Sequence, residues 1–320
     1  MMTWPVTQRM QIQHGRFRVM DVRTQRRGVI VEVLVTQRVK YLQATVSHGV
    51  TPVVIPCLAI FSHHKCSAKK FKKWFISDII LIIVVHYMEV NMLLFDAPPV
   101  TVVPIANSDK EFPVHRIYCV GRNYAEHARE MGKDPDRDPP FFFCKPADAI
   151  VLDGEPVPYP PRTENLHHEI ELVVAIGREG HDIASENAES YIYAYAVGND
   201  ITRRDLQLDS RATGRPWDTG KAFDRSAAIS CLYPVDQVGH IRTGEIELSV
   251  DGEPRQKADI SHLIWSVPEI IAELSTLFTL KPGDLIYTGT PAGVGKVEPG
   301  QTMSGSIAGL GTLTNTVTMR

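Results

Sequence analysis

Residues 165–177 read NLHHEIELVVAIG, and this stretch decides the fold. Its segment 169–176 passes from alternating residues to a continuous apolar run, which is typical of a strand buried on both faces. Residues i and i+2 of a strand point to the same face, so Glu169 and Glu171 are expected to project together. The next predicted strand, 191–199, ends at Asp200. We therefore expect three carboxylates at the mouth of a core sheet.

Paired carboxylates repel each other and lose hydration on burial unless a cation joins them. Carboxylate oxygens suit Mg²⁺, Mn²⁺ or Ca²⁺ better than softer metals. Glu169, Glu171 and Asp200 are therefore predicted to bind a divalent metal, with Mg²⁺ or Mn²⁺ as the cofactor. The alternative is an exposed strand face with two solvated glutamates, the usual meaning of an isolated Glu-x-Glu pair.

After residue 92 the chain contains many short apolar runs separated by Pro and Gly turns. Only two segments have helical patterns: a short one at 124–131, and a substantial amphipathic one at 266–278 with Pro268 in its first turn. So many predicted strands with so few helices between them exclude a doubly wound sheet. They predict an α+β fold with a large mixed or antiparallel β core. The further predicted strands are 116–120, 141–144, 246–250, 285–288 and 313–317.

The composition is that of a globular protein. The 320 residues are 43% hydrophobic and 22% charged. A net charge of −3 argues against nucleic acid as the main partner. The five cysteines form no C-x-x-C pair, and their odd number favours a reducing compartment, so we expect a cytoplasmic protein.

The first 87 residues differ from the rest. They hold thirteen Lys and Arg against three acidic residues, a balance of +10, whereas the remainder carries −13. The apolar run 79–85 is too short to cross a bilayer, and His63, His64 and Cys66 lack a second ligand pair for zinc. We expect one strand at 29–35. We interpret residues 1–87 as an upstream extension that precedes the native start at Met88 or Met92. The alternative is a genuine basic arm. A short subdomain at 88–115 would then precede a catalytic domain at 116–320.

The helix at 124–131 carries a candidate acid–base pair. His127 and Glu130 are i,i+3 neighbours on one helix face, and a carboxylate beside an imidazole orients it and raises its basicity. Gly121 and Gly132 flank the segment, which suits a mobile lid. The alternative is a surface ion pair. No G-x-S-x-G elbow occurs, so we do not expect an α/β-hydrolase serine. The segment 290–297 (TPAGVGKV) lacks the first Gly and the final Ser or Thr of a phosphate-binding loop, and no G-x-G-x-x-G follows a strand, which excludes a kinase or a dehydrogenase.

Six motifs in one order resemble the fumarylacetoacetate hydrolase family. They are VGRNYAEHAREM (120–131), FFFCKP (141–146), NLHHEIELVVAIG (165–177), DITRRDLQ (200–207), GRPWDTGKAFD (214–224) and TGTPAGVG (288–295). The resemblance begins near Met92. It implies a β-rich fold rolled into a sandwich-like barrel, a homodimer and a divalent ion.

Matched motif by motif, the resemblance assigns residue roles. Glu169, Glu171 and Asp200 fall on the metal carboxylates, and His127 with Glu130 on the water-activating dyad of the lid. Lys221 falls on the lysine that faces the substrate. The residues matching the substrate pocket are Arg122, Lys145, Arg204, Gln207 and Thr290. The chain departs from many relatives at 218–220 (DTG), where they carry bulkier residues, which leaves the distal end of the substrate open.

The implied activity is hydrolysis of a C–C bond in a 2,4-dioxo acid, with fumarylpyruvate giving fumarate and pyruvate in the gentisate pathway of aromatic-compound catabolism. The alternatives are oxaloacetate decarboxylation or isomerisation of a 2-hydroxy-diene-dioate on the same metal–enolate platform. A non-catalytic binding module is a third possibility. The expected partners are a small dioxo acid and a second copy of the chain, with no nucleic acid and no membrane.

Overall fold

The computed structural model describes residues 94–126 and 139–320, and before residue 94 it describes five strands. The chain divides into two units, Met1–Leu94 and Phe95–Arg320. The strands of the first unit are β1 Arg9–Gln13, β2 Arg16–Met20, β3 Val31–Leu34, β4 Tyr41–Val46 and β5 Val53–Pro56. β1 pairs with β2, while β3, β4 and β5 form an antiparallel sheet, and β3 lies within the strand predicted at 29–35. The predictions for His63, His64, Cys66 and the run 79–85 lie outside the described residues.

The second unit is rich in β-structure, as its sequence predicts. Its strands are β6 Val102–Pro104, β7 Glu111–Pro113, β8 Ile117–Gly121, β9 Phe141–Lys145, β10 Ile150–Leu152, β11 Val157–Pro158, β12 Leu166–His168, β13 Ile170–Ile176, β14 Ile192–Asp200, β15 Thr202–Arg203, β16 Ala227–Ile229, β17 Tyr233–Pro234, β18 Glu245–Val250, β19 Glu253–Asp259, β20 Leu285–Tyr287, β21 Gly295–Lys296, β22 Thr302–Ile307 and β23 Thr312–Thr318. Its α-helices are α1 Arg204–Ala212, α2 Asp218–Lys221, α3 Val235–Val238 and α4 Val267–Leu277, with 3-10 helices at Ala147–Ala149, Ser185–Tyr191 and Ile260–His262.

An eight-stranded sheet forms the centre of this unit. Its order is β10-β16-β14-β13-β20-β8-β9, and β17 also pairs with β14. The β10–β16 and β20–β8 pairs are parallel and the other neighbours are antiparallel, so the sheet is mixed. A second sheet has the order β11-β23-β22-β18-β19. The predicted α+β class, with a curled mixed sheet and few helices, is confirmed.

Both faces of the central strand β13 are covered, which explains its continuous apolar sequence. All seven of its residues are buried. Leu172 and Val174 belong to one apolar cluster together with Leu248 of the second sheet. Val173 and Ala175 belong to a different cluster on the opposite face. Alternate residues thus pack into two cores, as the period of two in a strand requires.

The predicted helix at 266–278 is present as α4. The Ser266 N–H donates to Glu269 Oε2 at 3.0 Å, which caps the first turn, and Ile270, Ile271 and Leu274 bury the apolar face. The prediction of one substantial helix is incomplete, because α1 is also present. Its sequence RDLQLDSRA has only two strongly apolar side chains, and the residues that it buries are the polar Arg204, Gln207 and Ser210, so it lacks the apolar stripe by which a helix is predicted. No helix among the described residues is long and apolar enough to span a membrane.

Candidate active site

The three predicted carboxylates lie together at one end of the β13–β14 pair. These strands are antiparallel, with Ile170 opposite Asn199, so β13 begins where β14 ends. Glu169 directly precedes β13 and Asp200 is the last residue of β14, and the Asp200 N–H donates to the Glu169 carbonyl at 2.8 Å. Ligand oxygens of Glu169, Glu171 and Asp200 lie within 4.8 Å of one another. All three residues are buried, which is not the exposed strand face of the alternative interpretation.

Glu171 carries an electrostatic cost in this arrangement. Burial, followed by the charges of Asp200 and Glu169, raises the pKa of the Glu171 carboxyl well above its ordinary value. A backbone N–H partly offsets this cost, because Gly289 donates to Glu171 Oε2 at 2.7 Å. Gly289 has φ +103°, and a Cβ there would lie 2.7 Å from Asn123 Cβ, so only glycine presents its amide in this way.

Lys221 supplies a positive charge to the carboxylates. Its Nζ lies 2.6 Å from Glu169 Oε2 and 2.7 Å from Asp200 Oδ2, and it donates to Thr202 Oγ1 at 2.7 Å. Burial disfavours the charged amine, but the Asp200 and Glu169 charges outweigh this effect and raise the pKa of Lys221. The ammonium therefore stays protonated at the centre of the site.

Helix α1 directs a second cation and an amide into the same place. Arg204 and Gln207 are i,i+3 neighbours on this helix and both are buried. The Arg204 guanidinium donates to Glu169 Oε1 and to Gln207 Oε1. Helix α2 packs closely against α1, since a Cβ on Gly220 would lie 2.8 Å from the Gln207 backbone nitrogen. Gly220 belongs to the DTG stretch (218–220) in which this chain differs from many relatives. Because this glycine has no side chain, Lys221 can approach Arg204 and Gln207.

Lys145 lies elsewhere than the pocket position expected from its motif. Its ammonium is completely buried and pairs with Asp200 Oδ1 at 2.8 Å. It also donates to the backbone carbonyls of Ile201, Lys221 and Ser226. With these partners surrounding it, Lys145 holds Asp200 and the end of α2 in place from behind the cavity wall.

The histidines beside Glu169 are held neutral. Burial, reinforced by the nearby Arg204 charge, lowers the pKa of His167 to about 4. Burial also lowers the pKa of His168, whose Nδ1 lies 2.8 Å from Gln256 Oε1. Gln256 in turn donates to Thr290 Oγ1 at 2.7 Å. Sequence reasoning missed Gln256, because β19 (EPRQKAD) is too polar to give a strand signal.

A small cavity of about 30 Å³ opens onto these groups, which is room for about one or two water molecules or a metal ion. Arg122 lies at its wall with φ +59°, and its guanidinium carbon is 5.3 Å from the centre of the Phe141 ring and 6.0 Å from that of Trp217. The lining thus combines the acidic group and its cations with an aromatic side. The lining residues are Val120, Gly121, Arg122, Phe143, Glu169, Glu171, Asp200, Arg204, Gln207, Trp217, Lys221 and Thr290.

The proposed acid–base pair stays a prediction. The chain turns helical at Ala125 and Glu126, inside the predicted helix 124–131. His127 and Glu130 lie in the segment 127–138, outside the described residues.

The donor set fits a hard divalent cation. Three carboxylates converge within 4.8 Å, and their repulsion is the main reason, after burial, that Glu171 favours its protonated form. Mg²⁺ and Mn²⁺ prefer such oxygen ligands, and either ion would remove this repulsion.

Comparison with known proteins agrees with this chemistry. The family model for the C-terminal domain of fumarylacetoacetate (FAA) hydrolase matches residues 116–318. A fumarylpyruvate hydrolase of Ralstonia sp is 46% identical over 189 residues, which are 58% of this chain and 98% of the relative. A mitochondrial oxaloacetate decarboxylase of Dictyostelium discoideum is 41% identical over 198 residues, 62% of this chain and 90% of the relative.

A solved structure shares the fold. The fumarylpyruvate hydrolase of Pseudomonas aeruginosa, in complex with Mn²⁺ and pyruvate, is 57% identical, with a TM-score of 0.70. The match covers 71% of this chain and all of that one. The resemblance inferred from the six motifs is confirmed, and the chain belongs to the fumarylacetoacetate hydrolase family.

Proposed function

We propose that this protein hydrolyses the C–C bond between C3 and C4 of a 2,4-dioxo acid, with fumarylpyruvate giving fumarate and pyruvate. The observation that carries the proposal is the convergence of three buried carboxylates with Lys221 and Arg204 at one cavity. The likeness to fumarylpyruvate hydrolases from two bacteria supports the choice of substrate.

Glu169, Glu171 and Asp200 would hold the metal, and Mg²⁺ is the ion we propose, with Mn²⁺ as the alternative that the Pseudomonas aeruginosa relative contains. When bound, the ion supplies Lewis-acid polarisation of the 2-oxo group and charge stabilisation of the product enolate.

Side chains at the cavity would orient the substrate and stabilise the charge that develops during the reaction. Arg204, Gln207 and Thr290 surround the cavity near the carboxylates and can orient the carboxylate and the 2-oxo oxygen of the substrate. Lys221 carries a fixed positive charge where negative charge develops on the leaving group. Arg122 lies on the aromatic side of the cavity, where it can meet a carboxylate at the distal end of the acyl group.

His127 and Glu130 would complete the reaction. His127, oriented by Glu130, takes a proton from water as the water oxygen bonds to C4. The C3–C4 bond breaks, its electron pair stays on C3 as the pyruvate enolate, and a proton returned to C3 gives pyruvate. The acyl part leaves as a carboxylic acid.

Oxaloacetate decarboxylation is the second candidate, and the likeness to the Dictyostelium discoideum decarboxylase favours it. This reaction also produces a pyruvate enolate but needs no attacking water. The carboxylates, Lys221 and Arg204 would serve both reactions, so the two activities differ in their need for His127.

Three finer points belong to the same proposal. The homodimer and the place in the gentisate pathway rest on the family resemblance alone. The cytoplasmic location rests on the odd number of cysteines without a C-x-x-C pair.

A substrate panel tests the proposal. Fumarylpyruvate, short neutral acylpyruvates and oxaloacetate are each incubated with the Mg²⁺-loaded protein, and loss of the dioxo-enol absorbance is followed together with product identity. We expect kcat/KM to be highest for fumarylpyruvate. If the protein turns over oxaloacetate and none of the acylpyruvates, the hydrolase proposal is wrong and the protein is a decarboxylase.

A further inference from the structure

Gln256 is a buried amide that links the second sheet to the site, although it does not line the cavity. It lies on β19, where most of its neighbours are exposed, yet only 1% of its own surface is accessible. Its Oε1 accepts from the Ile170 N–H at 3.1 Å and lies 2.8 Å from His168 Nδ1. Its Nε2 donates to Thr290 Oγ1 at 2.7 Å and to the Pro291 carbonyl at 2.8 Å.

These partners fix which way the amide faces. A backbone N–H can only donate, so the Gln256 atom beside Ile170 must be the oxygen. A backbone carbonyl can only accept, so the atom beside Pro291 must be the nitrogen. The group that Gln256 presents to Thr290 is therefore an N–H donor, and all four hydrogen-bonding positions of the amide are used.

This orientation determines the role of the Thr290 hydroxyl. A hydroxyl has one proton to donate and two lone pairs that accept. Gln256 occupies a lone pair of Thr290 Oγ1, so the hydroxyl proton is directed away from Gln256. Thr290 is buried at the cavity wall, and the structure gives its hydroxyl no acceptor within the described part of the chain.

We propose that Gln256 is a positioning residue that makes the Thr290 hydroxyl a hydrogen-bond donor to an oxygen of the bound 2-oxo acid. The inference rests on the proposed function, because it takes a 2-oxo carboxylate as the ligand of the cavity. Through Ile170, the same amide also holds the backbone between Glu169 and Glu171. Gln256 thus aligns the donor and the acidic group with each other.

A double-mutant cycle tests the coupling between the two residues. The variants are Thr290→Val, Gln256→Glu and the double variant, each loaded with Mn²⁺ and titrated with pyruvate by calorimetry. Gln256→Glu keeps the acceptor for Ile170 but cannot donate, so the Thr290 hydroxyl turns to the new carboxylate. We expect each single variant to weaken pyruvate binding by about 10- to 100-fold, the range for a hydrogen bond to a charged group.

The decisive result is the double variant. If Gln256 acts through the Thr290 hydroxyl, adding Gln256→Glu to Thr290→Val weakens binding by no more than about twofold. Multiplicative losses would overturn the inference, since they would mean that Gln256 acts independently of Thr290. Gln237→Glu, an exposed glutamine on α3, serves as the control and should leave pyruvate binding unchanged.

A second measurement covers the case in which Gln256→Glu fails to fold. Neutron diffraction from deuterium-exchanged wild-type crystals locates the deuteron on Thr290 Oγ1 directly. A deuteron pointing into the cavity supports the inference, and one pointing at Gln256 overturns it. A wild-type protein that binds pyruvate without hydrolysing fumarylpyruvate would contradict the proposed function while leaving this inference intact. If the protein hydrolyses fumarylpyruvate but the two substitutions give multiplicative losses, the proposed function stands and the inference about Gln256 is wrong.

Discussion

Lys221 Nζ lies 2.7 Å from Asp200 Oδ2, and both side chains are almost completely buried. The same ammonium lies 2.6 Å from Glu169, so one lysine pairs with two of the three carboxylates that are proposed to hold the metal. A buried pair of this kind becomes costly when one partner is removed, because the other charge stays in a poorly solvated place.

Lys221→Met should therefore destabilise the metal-free protein strongly. We expect a loss of about 3–5 kcal/mol in the free energy of unfolding, the range for breaking a buried pair. Added Mn²⁺ should recover more stability in the variant than in the wild type, since the ion replaces the missing charge. Urea unfolding with a chelator and with Mn²⁺ measures both effects. Lys257→Met, an exposed lysine paired with Glu245, is the control and should change little. Equal, small losses in the two variants would contradict this assignment.

Glu171→Gln should have the opposite effect on the metal-free protein. The pKa of Glu171 in the folded state is raised well above its ordinary value of 4.5 by burial and by the Asp200 and Glu169 charges. Ionisation of Glu171 therefore costs stability as the pH rises from about 4.5 through the folded-state pKa. The neutral glutamine escapes this cost and can still accept from Gly289.

We accordingly expect Glu171→Gln to unfold at a higher temperature than the wild type at pH 8 in chelator, and at a similar temperature at pH 4. Each kcal/mol gained corresponds to about 2–4 °C in a domain of this size. Mn²⁺ affinity should fall by more than the roughly 10–100-fold typical of losing an outer-sphere partner. Glu253→Gln, an exposed glutamate on β19, controls for the change of net charge. If the difference in unfolding temperature between Glu171→Gln and the wild type is the same at pH 4 and pH 8, the electrostatic explanation is wrong.

How much of this site was visible in the sequence depends on how each residue is positioned. Glu169 and Glu171 follow from the period of two in a strand, and Asp200 from the end of the next strand. The family resemblance placed Lys145 in the pocket, but its burial, like that of Gln256, could not be predicted, because nothing in a local pattern shows that a polar residue is buried against distant backbone groups. Helix α1, which carries Arg204 and Gln207, was not predicted because its sequence is mostly polar.

His127→Ala separates hydrolysis from decarboxylation. If His127 activates water, its loss should lower kcat for fumarylpyruvate by on the order of 10²–10⁴, with a smaller change in KM. Any oxaloacetate decarboxylation should persist, because no water is activated in that reaction. His262→Ala, an exposed histidine outside the cavity, should leave both rates unchanged. Equal loss of both activities in His127→Ala would make His127 a structural residue.

A chain that begins at Met92 should fold and keep full activity. Every residue assigned to the site lies after that point, and the boundary between the two units falls between Leu94 and Phe95. The measurement compares kcat/KM and thermal unfolding of the shortened and full-length proteins. An insoluble or inactive short form would show that the basic segment is an integral part of the enzyme.

The most direct test of the central claim is hydrolysis of fumarylpyruvate in ¹⁸O-labelled water by metal-depleted protein, with and without restored Mg²⁺ or Mn²⁺. The account predicts that turnover depends on the metal, yields fumarate and pyruvate in equal amounts and places one labelled oxygen in the fumarate carboxylate. Fumarate without the label, or an unchanged rate in the metal-depleted protein, would contradict it.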